Sequence, residues 1–288
     1  MNMAHELDPA VPNSAPPGRR DRNRMARTRA FLSTALDIVV TEGFDALTMQ
    51  RLASECDSAV GAVYRYFPSK GALVAEVQRA AIERLSSSYA IIADRSTRAF
   101  AASSLSAAEL ALTDLVVFGR FFVATTETFP QELRLLQMLM TEMRPVVPVE
   151  EGMRVLPSAM RLLDQARACV DRATAVGVIA AGPTTSMEKV IVWAAAVGGV
   201  LQLSHLDVYD LDLFDGDRLA RQTTLDLFVA WGADRTLLDA SVDRVDQLAE
   251  SGPLAPPLPH EQYSGLSAKP TNLEPPRARA LDVDPLEA

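Results

Sequence analysis

The fold of this chain is decided by residues 44–73, which read Phe44-Asp-Ala-Leu-Thr-Met-Gln-Arg-Leu-Ala-Ser-Glu-Cys-Asp-Ser-Ala-Val-Gly-Ala-Val-Tyr-Arg-Tyr-Phe-Pro-Ser-Lys-Gly-Ala-Leu73. Two short helical patterns flank a turn of four residues, and the start of a third helix follows. Thr48 precedes the first pattern, in which Leu52 and Ala53 face inward, so we predict Thr48 as its N-cap. The second helix is predicted to begin near Ala59. This arrangement indicates a helix-turn-helix.

The second of these helices has two chemically different faces. On a period of 3.6 residues, the apolar face consists of Val60, Val63 and Phe67, and the opposite face of Gly61, Ala62 and Arg65, with Tyr66 on the flank. Small residues let a helix approach the major groove closely. Arginine can donate two hydrogen bonds to guanine or one to phosphate, and tyrosine offers a hydroxyl to a backbone oxygen. The outward face therefore indicates nucleic-acid binding.

Lys70 is placed where a lysine is normally unfavourable. Pro68 and Ser69 precede it, Ser69 is the expected N-cap of the third helix, and no acidic residue occurs before Glu76. A lysine in the first turn opposes the helix dipole, at a cost of up to about 1 kcal/mol. A bound phosphate reverses the sign, because backbone N–H groups, the dipole and the ammonium would all face one anion. We interpret Lys70 as a phosphate contact; the alternative is a solvated lysine.

The order of these residues resembles the DNA-binding domain of TetR/AcrR-type transcriptional regulators over about residues 27–77. The matching positions are Ala35, the helix stop Glu42-Gly43-Phe44 in which Gly43 ends the first helix, Thr48, Leu52-Ala53, Gly61, Tyr64, Tyr66-Phe67, Ser69-Lys70 and Leu73. The resemblance implies an all-α protein: an N-terminal three-helix helix-turn-helix domain and a larger helical domain for ligand binding and dimerisation. The expected DNA-binding residues are Arg27, Thr48, Gly61, Ala62, Arg65, Tyr66 and Lys70. The resemblance favours a repressor, although an activator is not excluded by the sequence.

The chain departs from the family in the turn. Where the family usually has Ala-Gly-Val-Ser, this chain has Cys56-Asp57-Ser58-Ala59. Asp57 can adopt the left-handed conformation of a glycine at some cost. Ala59 cannot cap a helix with its side chain, so Ser58 or Asp57 would cap it if the boundary moved by one residue.

Charge is divided unevenly along the chain. The net charge is −9, but residues 18–79 hold ten basic and seven acidic residues, a net +3, which leaves −12 for the remainder. A basic module on an acidic body is expected when one face meets phosphate. Residues 18–29 hold six arginines and one aspartate. This segment is either a solvated arm or an arm that follows an adjacent minor groove, where arginine is favoured.

Composition and periodicity predict four regions. They are a disordered basic arm at 1–23, the helix-turn-helix domain at 24–77 with a connector helix to about 92, a helical effector-binding and dimerisation domain at 95–235, and a disordered proline-rich tail at 251–288. We predict no strand. Two cysteines give no disulfide framework, and the longest apolar run, Val190 to Leu201, has 12 residues against the roughly 20 of a membrane-spanning helix. We therefore expect a cytoplasmic protein with no membrane segment.

The family resemblance implies a homodimer formed by the last two long helices. The segment from Met187 to Leu203 is too apolar for one buried face, and adjacent glycines permit close approach of another backbone. The alternative is a central core helix within one chain. The expected interface residues are Trp193, Val197, Gly198, Leu201, Leu225 and Phe228.

A ligand pocket is harder to predict, since its candidates are also ordinary core residues. They are Phe118, Phe121, Phe122, Met138, Met143, Met160 and Trp193. Methionine and aromatic side chains suit irregular apolar ligands, so we hypothesise an apolar or amphipathic effector such as a lipid-like acid, thioester or drug.

We find no pattern of catalytic or metal-binding residues in the sequence, and we expect no enzymatic activity and no cofactor. His205 is interpreted as a helix-terminal residue, with ligand contact as the alternative. The competing hypothesis is a helical lipid-binding or enzymatic protein whose helix-turn-helix no longer binds DNA.

Overall fold

The computed structural model describes residues 18–43, 45–141, 149–252 and 254. The described residues form ten α-helices and contain no strand, which confirms the predicted all-α fold. The helices are α1 (Arg19–Glu42), α2 (Met49–Glu55), α3 (Val60–Tyr66), α4 (Lys70–Phe100), α5 (Ala107–Thr128), α6 (Pro130–Thr141), α7 (Val149–Ala175), α8 (Ser186–Gln202), α9 (Gly216–Ala230) and α10 (Arg235–Glu250).

Helix α1 is longer than predicted at its N-terminus. It begins at Arg19, so residues 19–23 are helical and not part of a flexible arm, while residues 1–17 of the predicted arm lie outside the described residues. The helix ends as predicted at Gly43, whose φ of 89° lies in the region that favours glycine. The Gly43 N–H donates to the carbonyl of Val39 at 3.0 Å. This bond satisfies one of the last carbonyls of the helix.

The helix-turn-helix is formed by α2 and α3. Thr48 is the N-cap of α2, and its hydroxyl accepts a hydrogen bond from the Arg51 N–H at 3.0 Å, as predicted. Asp57 adopts φ 46°, the left-handed conformation expected in the turn. Ala59 is the N-cap of α3 and makes no side-chain cap bond. The helix boundary therefore stays at Ala59, and neither Ser58 nor Asp57 is the N-cap of α3. The Ser58 hydroxyl instead donates to the Cys56 carbonyl at 3.1 Å.

The interior of the N-terminal head is continuous with the body through α4. Its fully buried side chains include Phe31, Leu47, Leu52, Val63 and Leu73, and the same cluster extends to residues of α6 and α7. Helix α4 spans 31 residues, eight beyond its predicted end near 92, and it also packs on α5, α6 and α7. A movement of α4 would therefore involve both the head and the body.

The body consists mainly of α5, α7, α8, α9 and α10 around a second core. Helix α7 begins at Val149 and continues through Pro157 to Ala175. Helix α10 begins at Arg235 and packs on α5, with Leu238 and Val245 buried in the body core. Leu254 is buried in the same core, and the rest of the predicted tail from 255 lies outside the described residues.

Helix α8 and the short 3-10 helix after it form the most apolar segment of the body. By length and composition alone, Ser186–Leu206 is long and apolar enough to cross a membrane, with a mean hydropathy of 1.4. One such helix is weak evidence, and this one places Val190 and Trp193 in the body core, where it packs on α7 and α9. Its other face is exposed.

Candidate nucleic-acid interface and effector cavity

Helix α3 presents a polar and small-residue face to solvent. Gly61, Tyr64 and Arg65 are exposed, whereas Val63 is fully buried against the rest of the head. No atom lies near the position that a Cβ of Gly61 would occupy, so this part of the helix surface is open. Ala62 is half-buried beside it. The face has the size and chemistry required for entry into a major groove.

The exposed aromatic residue of this face is Tyr64, and the predicted Tyr66 is not exposed. Tyr66 is half-buried, and its ring packs edge-on against Phe31 with the ring centroids 5.3 Å apart. Tyr64 is 48% exposed. The exposure of Tyr64 could have been predicted from the sequence, because Tyr64 lies three residues after Gly61 and therefore shares its side of the helix.

Arg27 connects α1 to the turn between α2 and α3. Its guanidinium carbon lies 5.1 Å from the centre of the Phe31 ring. One terminal nitrogen donates to the Ser58 hydroxyl and, at 3.4 Å, to the Cys56 carbonyl. The side chain remains exposed. Arg27 can therefore position the turn, and its exposed charge is available to a phosphate.

Thr48 and Lys70 both lie at helix starts on the exterior of the head. Ser69 caps α4 by accepting from the Ala72 N–H at 3.0 Å, as predicted, and the first turn of α4 holds no acidic residue. Lys70 is exposed. The positive end of α4 and a lysine therefore occur together, which is the combination that binds an anion.

These features define a helix-turn-helix protein in which a small head with an exposed second helix joins a larger helical body. A family model described as bacterial regulatory proteins, tetR family, matches residues 31–77, and this match supports a TetR-family regulator. The matched residues cover α1 from Phe31, both helices of the motif and the start of α4. A DNA-binding transcriptional regulator is therefore the class to which the chain belongs.

Several solved structures are similar to this chain at low sequence identity. A protein of unknown function from Rhodococcus sp. RHA1 has 19% identity and a TM-score of 0.53, over 71% of this chain and 95% of that one. A TetR-family regulator from Agrobacterium tumefaciens has 15% identity and a TM-score of 0.46, over 78% and 97%. The MbdR regulator from Azoarcus sp. CIB has 22% identity and a TM-score of 0.46, over 70% and 96%. No curated protein matches the chain.

An apolar cavity of about 260 Å³ lies in the body between α5, α7 and α8. Three of the predicted pocket residues, Phe118, Phe122 and Trp193, line it. Phe121 instead packs in the core against Tyr89, and Met160 is half-buried outside the lining. Met143 lies outside the described residues, as does the side chain of Met138. Several small and aliphatic lining residues were missed because their positions depend on the packing of α7 against α8: Ala159, Leu162, Leu163, Ala166 and Ala194.

One hydrogen bond joins α8 to α9 at the edge of this cavity. The indole N–H of Trp193 donates to the Thr224 hydroxyl at 3.0 Å, and both side chains are buried. The bond satisfies the one polar group of a buried indole.

The predicted dimer residues point mostly into the chain's own core. Trp193, Val197, Leu201, Leu225 and Phe228 are all less than 10% exposed. They belong to the body core, so these five side chains cannot meet a second chain directly in this arrangement, and the expectation is corrected. The alternative, a core helix within one chain, describes the inward face of α8. Gly198 is half-buried, with no neighbour near its missing Cβ.

The outward face of α8 is also apolar. Val192 is 50% exposed and Leu203, just after the helix, is 45% exposed, with exposed Ala195 and Gly199 between them. The periodicity of α8 was correctly predicted, but which of its two apolar faces meets α9 depends on residues remote in sequence.

His205 lies in the 3-10 helix Leu203–Leu206 and is exposed. Its Nδ1 donates to the carbonyl of Gln202 at 2.5 Å, which agrees with the helix-terminal interpretation. Within the described part of the chain, no three His, Cys, Asp or Glu side chains are grouped so that they could hold a metal ion.

Proposed function

We propose that this protein is a cytoplasmic, homodimeric transcriptional repressor that an apolar or amphipathic small molecule releases from a palindromic operator. The observation that carries the proposal is the exposed face of α3, where Gly61, Tyr64 and Arg65 stand outward on a helix-turn-helix. Such a face suits base-edge contacts, and Lys70 at the start of α4 and Arg27 on α1 suit contacts to phosphate.

A homodimer would use the outward face of α8. Val192, Ala195, Gly199 and Leu203 give it an apolar surface with small residues at the centre, where two helices can approach closely. A two-fold dimer would place two α3 helices in successive major grooves, roughly 34–36 Å apart, which is the reason to expect a palindromic operator.

Release by an effector requires a site that can influence the head. The apolar cavity lies beside α5, α7 and α8, and α4 joins those helices to the head. A ligand that binds one arrangement of α4 more tightly than another would shift the population of DNA-binding dimers. This proposal has more support than the catalytic alternative, because the described residues offer a helix-turn-helix with an exposed second helix and an apolar cavity.

A gel-shift experiment with the DNA upstream of the protein's own gene tests the proposal. The wild-type protein should form a complex, and Arg65→Ala should weaken it by about 1–3 kcal/mol if Arg65 reads one base pair. Arg98→Ala is the matched control, since Arg98 is an exposed arginine near the far end of α4 and should not affect binding. Wild-type protein that binds no double-stranded DNA would instead favour the competing hypothesis of a helical lipid-binding or enzymatic protein.

A further inference from the structure

Two cavities of opposite chemistry share one wall in the body. The first is the apolar cavity between α5, α7 and α8. The second has a volume of about 310 Å³ and lies between α5, α9 and α10. Gly119 and Thr224 line both cavities. The wall is tight at this point, because a Cβ on Gly119 would lie 3.1 Å from the Thr224 methyl carbon and 3.3 Å from the Trp193 ring.

The second cavity is rich in charge. Arg120 and Arg221 both pair with Asp246 inside it. Glu127 and Asp217 also line it, and repulsion from Glu127 is one of the reasons, after burial, that the pKa of Asp217 is raised. A charged ligand group therefore has possible partners here.

The apolar cavity offers no such partner among the described residues. Its described lining consists of aliphatic, aromatic and glycine residues, with Thr224 as the single polar side chain. The Thr224 hydroxyl already accepts the Trp193 indole N–H. A carboxylate or an ammonium placed in this cavity would lose its hydration without gaining a counter-charge, which is strongly unfavourable. An apolar molecule loses only its contact with water, which favours binding.

We infer that the α5–α7–α8 cavity selects uncharged, largely apolar molecules and that the effector belongs to this class. The inference rests on the proposed function where it concerns the effector, and on the cavity alone where it concerns binding. This inference narrows the expected class of apolar or amphipathic effectors, because it excludes lipid-like acids whose charged head group would be buried in the cavity. A volume of about 260 Å³ lies just below the range of roughly 300–1,000 Å³ typical of drug-sized ligands, so the effector should be smaller than a typical drug.

Two fluorescent probes with the same aromatic body test this selection. N-phenyl-1-naphthylamine is uncharged, and 8-anilinonaphthalene-1-sulfonate carries an added sulfonate. Both are titrated into the full-length protein without DNA, with tryptophan excitation and emission from the probe. In a Trp231→Phe background, Trp193 is the remaining tryptophan of the two, so energy transfer reports on a probe beside the cavity.

Cavity-dependent binding is defined with Ala194→Phe, which fills the space from α8. Ala159→Phe fills it from α7 and serves if the first variant does not fold by circular dichroism. The matched control is Ala90→Phe, at an exposed position of α4 outside the lining of both cavities. The uncharged probe should bind wild type and the control equally, and each filling variant should remove that binding. The cavity-dependent affinity of the sulfonate should be weaker by at least about tenfold.

The inference is overturned if neither probe shows binding that the filling variants remove, or if the sulfonate binds in the cavity as tightly as the neutral probe. A separate gel shift with the uncharged probe tests release from DNA. Protein that binds the probe in the cavity but no DNA would refute the proposed function and leave the selectivity of the cavity established. Protein that binds DNA but shows no cavity-dependent binding of the uncharged probe would refute the selectivity of the cavity and leave DNA binding established.

Discussion

Arg84 of α4 and Glu132 of α6 form an ion pair that is almost completely withdrawn from solvent. Their side chains are 15% and 4% exposed, and the Arg84 guanidinium also lies over the ring of Phe129, 5.1 Å from its centre. Water reaches these two charges only to a small extent, so hydration would replace little of their interaction if one of them were removed. The pair joins the helix that leaves the DNA-binding head to the short helix beside the apolar cavity.

Removing one member of this pair should destabilise the protein strongly. Glu132→Ala removes the carboxylate that the mostly buried Arg84 guanidinium contacts, and we expect a loss of about 3 kcal/mol in the free energy of unfolding. The double variant Arg84→Met with Glu132→Met removes both charges and should recover most of that loss. Urea denaturation followed by circular dichroism measures both. As a control, Arg98→Ala breaks an exposed pair with Asp94 and should cost no more than about 1 kcal/mol. A double variant as unstable as the single one would contradict this account.

Lys70 should contribute to DNA binding through charge alone. Lys70→Ala should weaken binding to specific and unrelated duplexes by similar factors and reduce the slope of log K against log salt by about one unit. Lys70→Arg retains the charge and should retain most of the affinity. Fluorescence anisotropy across a salt series gives the slope. A loss confined to the operator sequence would show that Lys70 does not act through phosphate.

The basic N-terminal part of α1 offers a second, larger electrostatic contribution. Arg19, Arg20, Arg22 and Arg24 are all exposed on one helical segment that precedes the matched family domain. Changing all four to glutamine should weaken binding and lower the salt slope by up to about four units if each arginine meets a phosphate. The folded state should survive, as checked by thermal melting, because none of the four lies in the core. Unchanged affinity would indicate that this segment is simply solvated.

Local signals in the sequence predicted the head well and the body only in outline. Thr48 and Gly43 were correctly assigned because caps depend on backbone groups only a few residues away. Tyr66 and Phe228 were assigned to surfaces but lie against the protein's own core. The orientation of such a side chain depends on a partner helix that is remote in sequence, and periodicity cannot identify that partner. For α8 both faces are apolar, so its pattern could not show which of them was the exterior.

The exterior of α8 should determine the oligomeric state. Val192→Asp places a charge within the proposed dimer contact, where burial without a counter-charge is costly, and should shift the protein toward monomers. Val176→Asp is the matched control, since Val176 is a valine of similar exposure just after α7. Sedimentation equilibrium over a concentration series distinguishes the two variants. If Val192→Asp dimerised as tightly as wild type, another surface would have to form the dimer.

Asp217 should make stability depend on pH in an unusual direction. Burial, followed by repulsion from Glu127 and Asp215, raises the pKa of Asp217 above its usual 3.8 in the folded state. The folded protein therefore holds this proton more tightly than the unfolded chain, so the carboxylate destabilises the fold at neutral pH, and this penalty disappears as pH falls through the folded-state pKa. Asp217→Asn should accordingly raise Tm at pH 7, and its advantage over wild type should shrink on acidification toward pH 4. Asp243→Asn, an exposed aspartate on α10, is the control and should change Tm little at either pH. Differential scanning calorimetry across this range measures the effect, and an advantage that grew as the pH was lowered would show that the carboxylate is stabilising in the folded state.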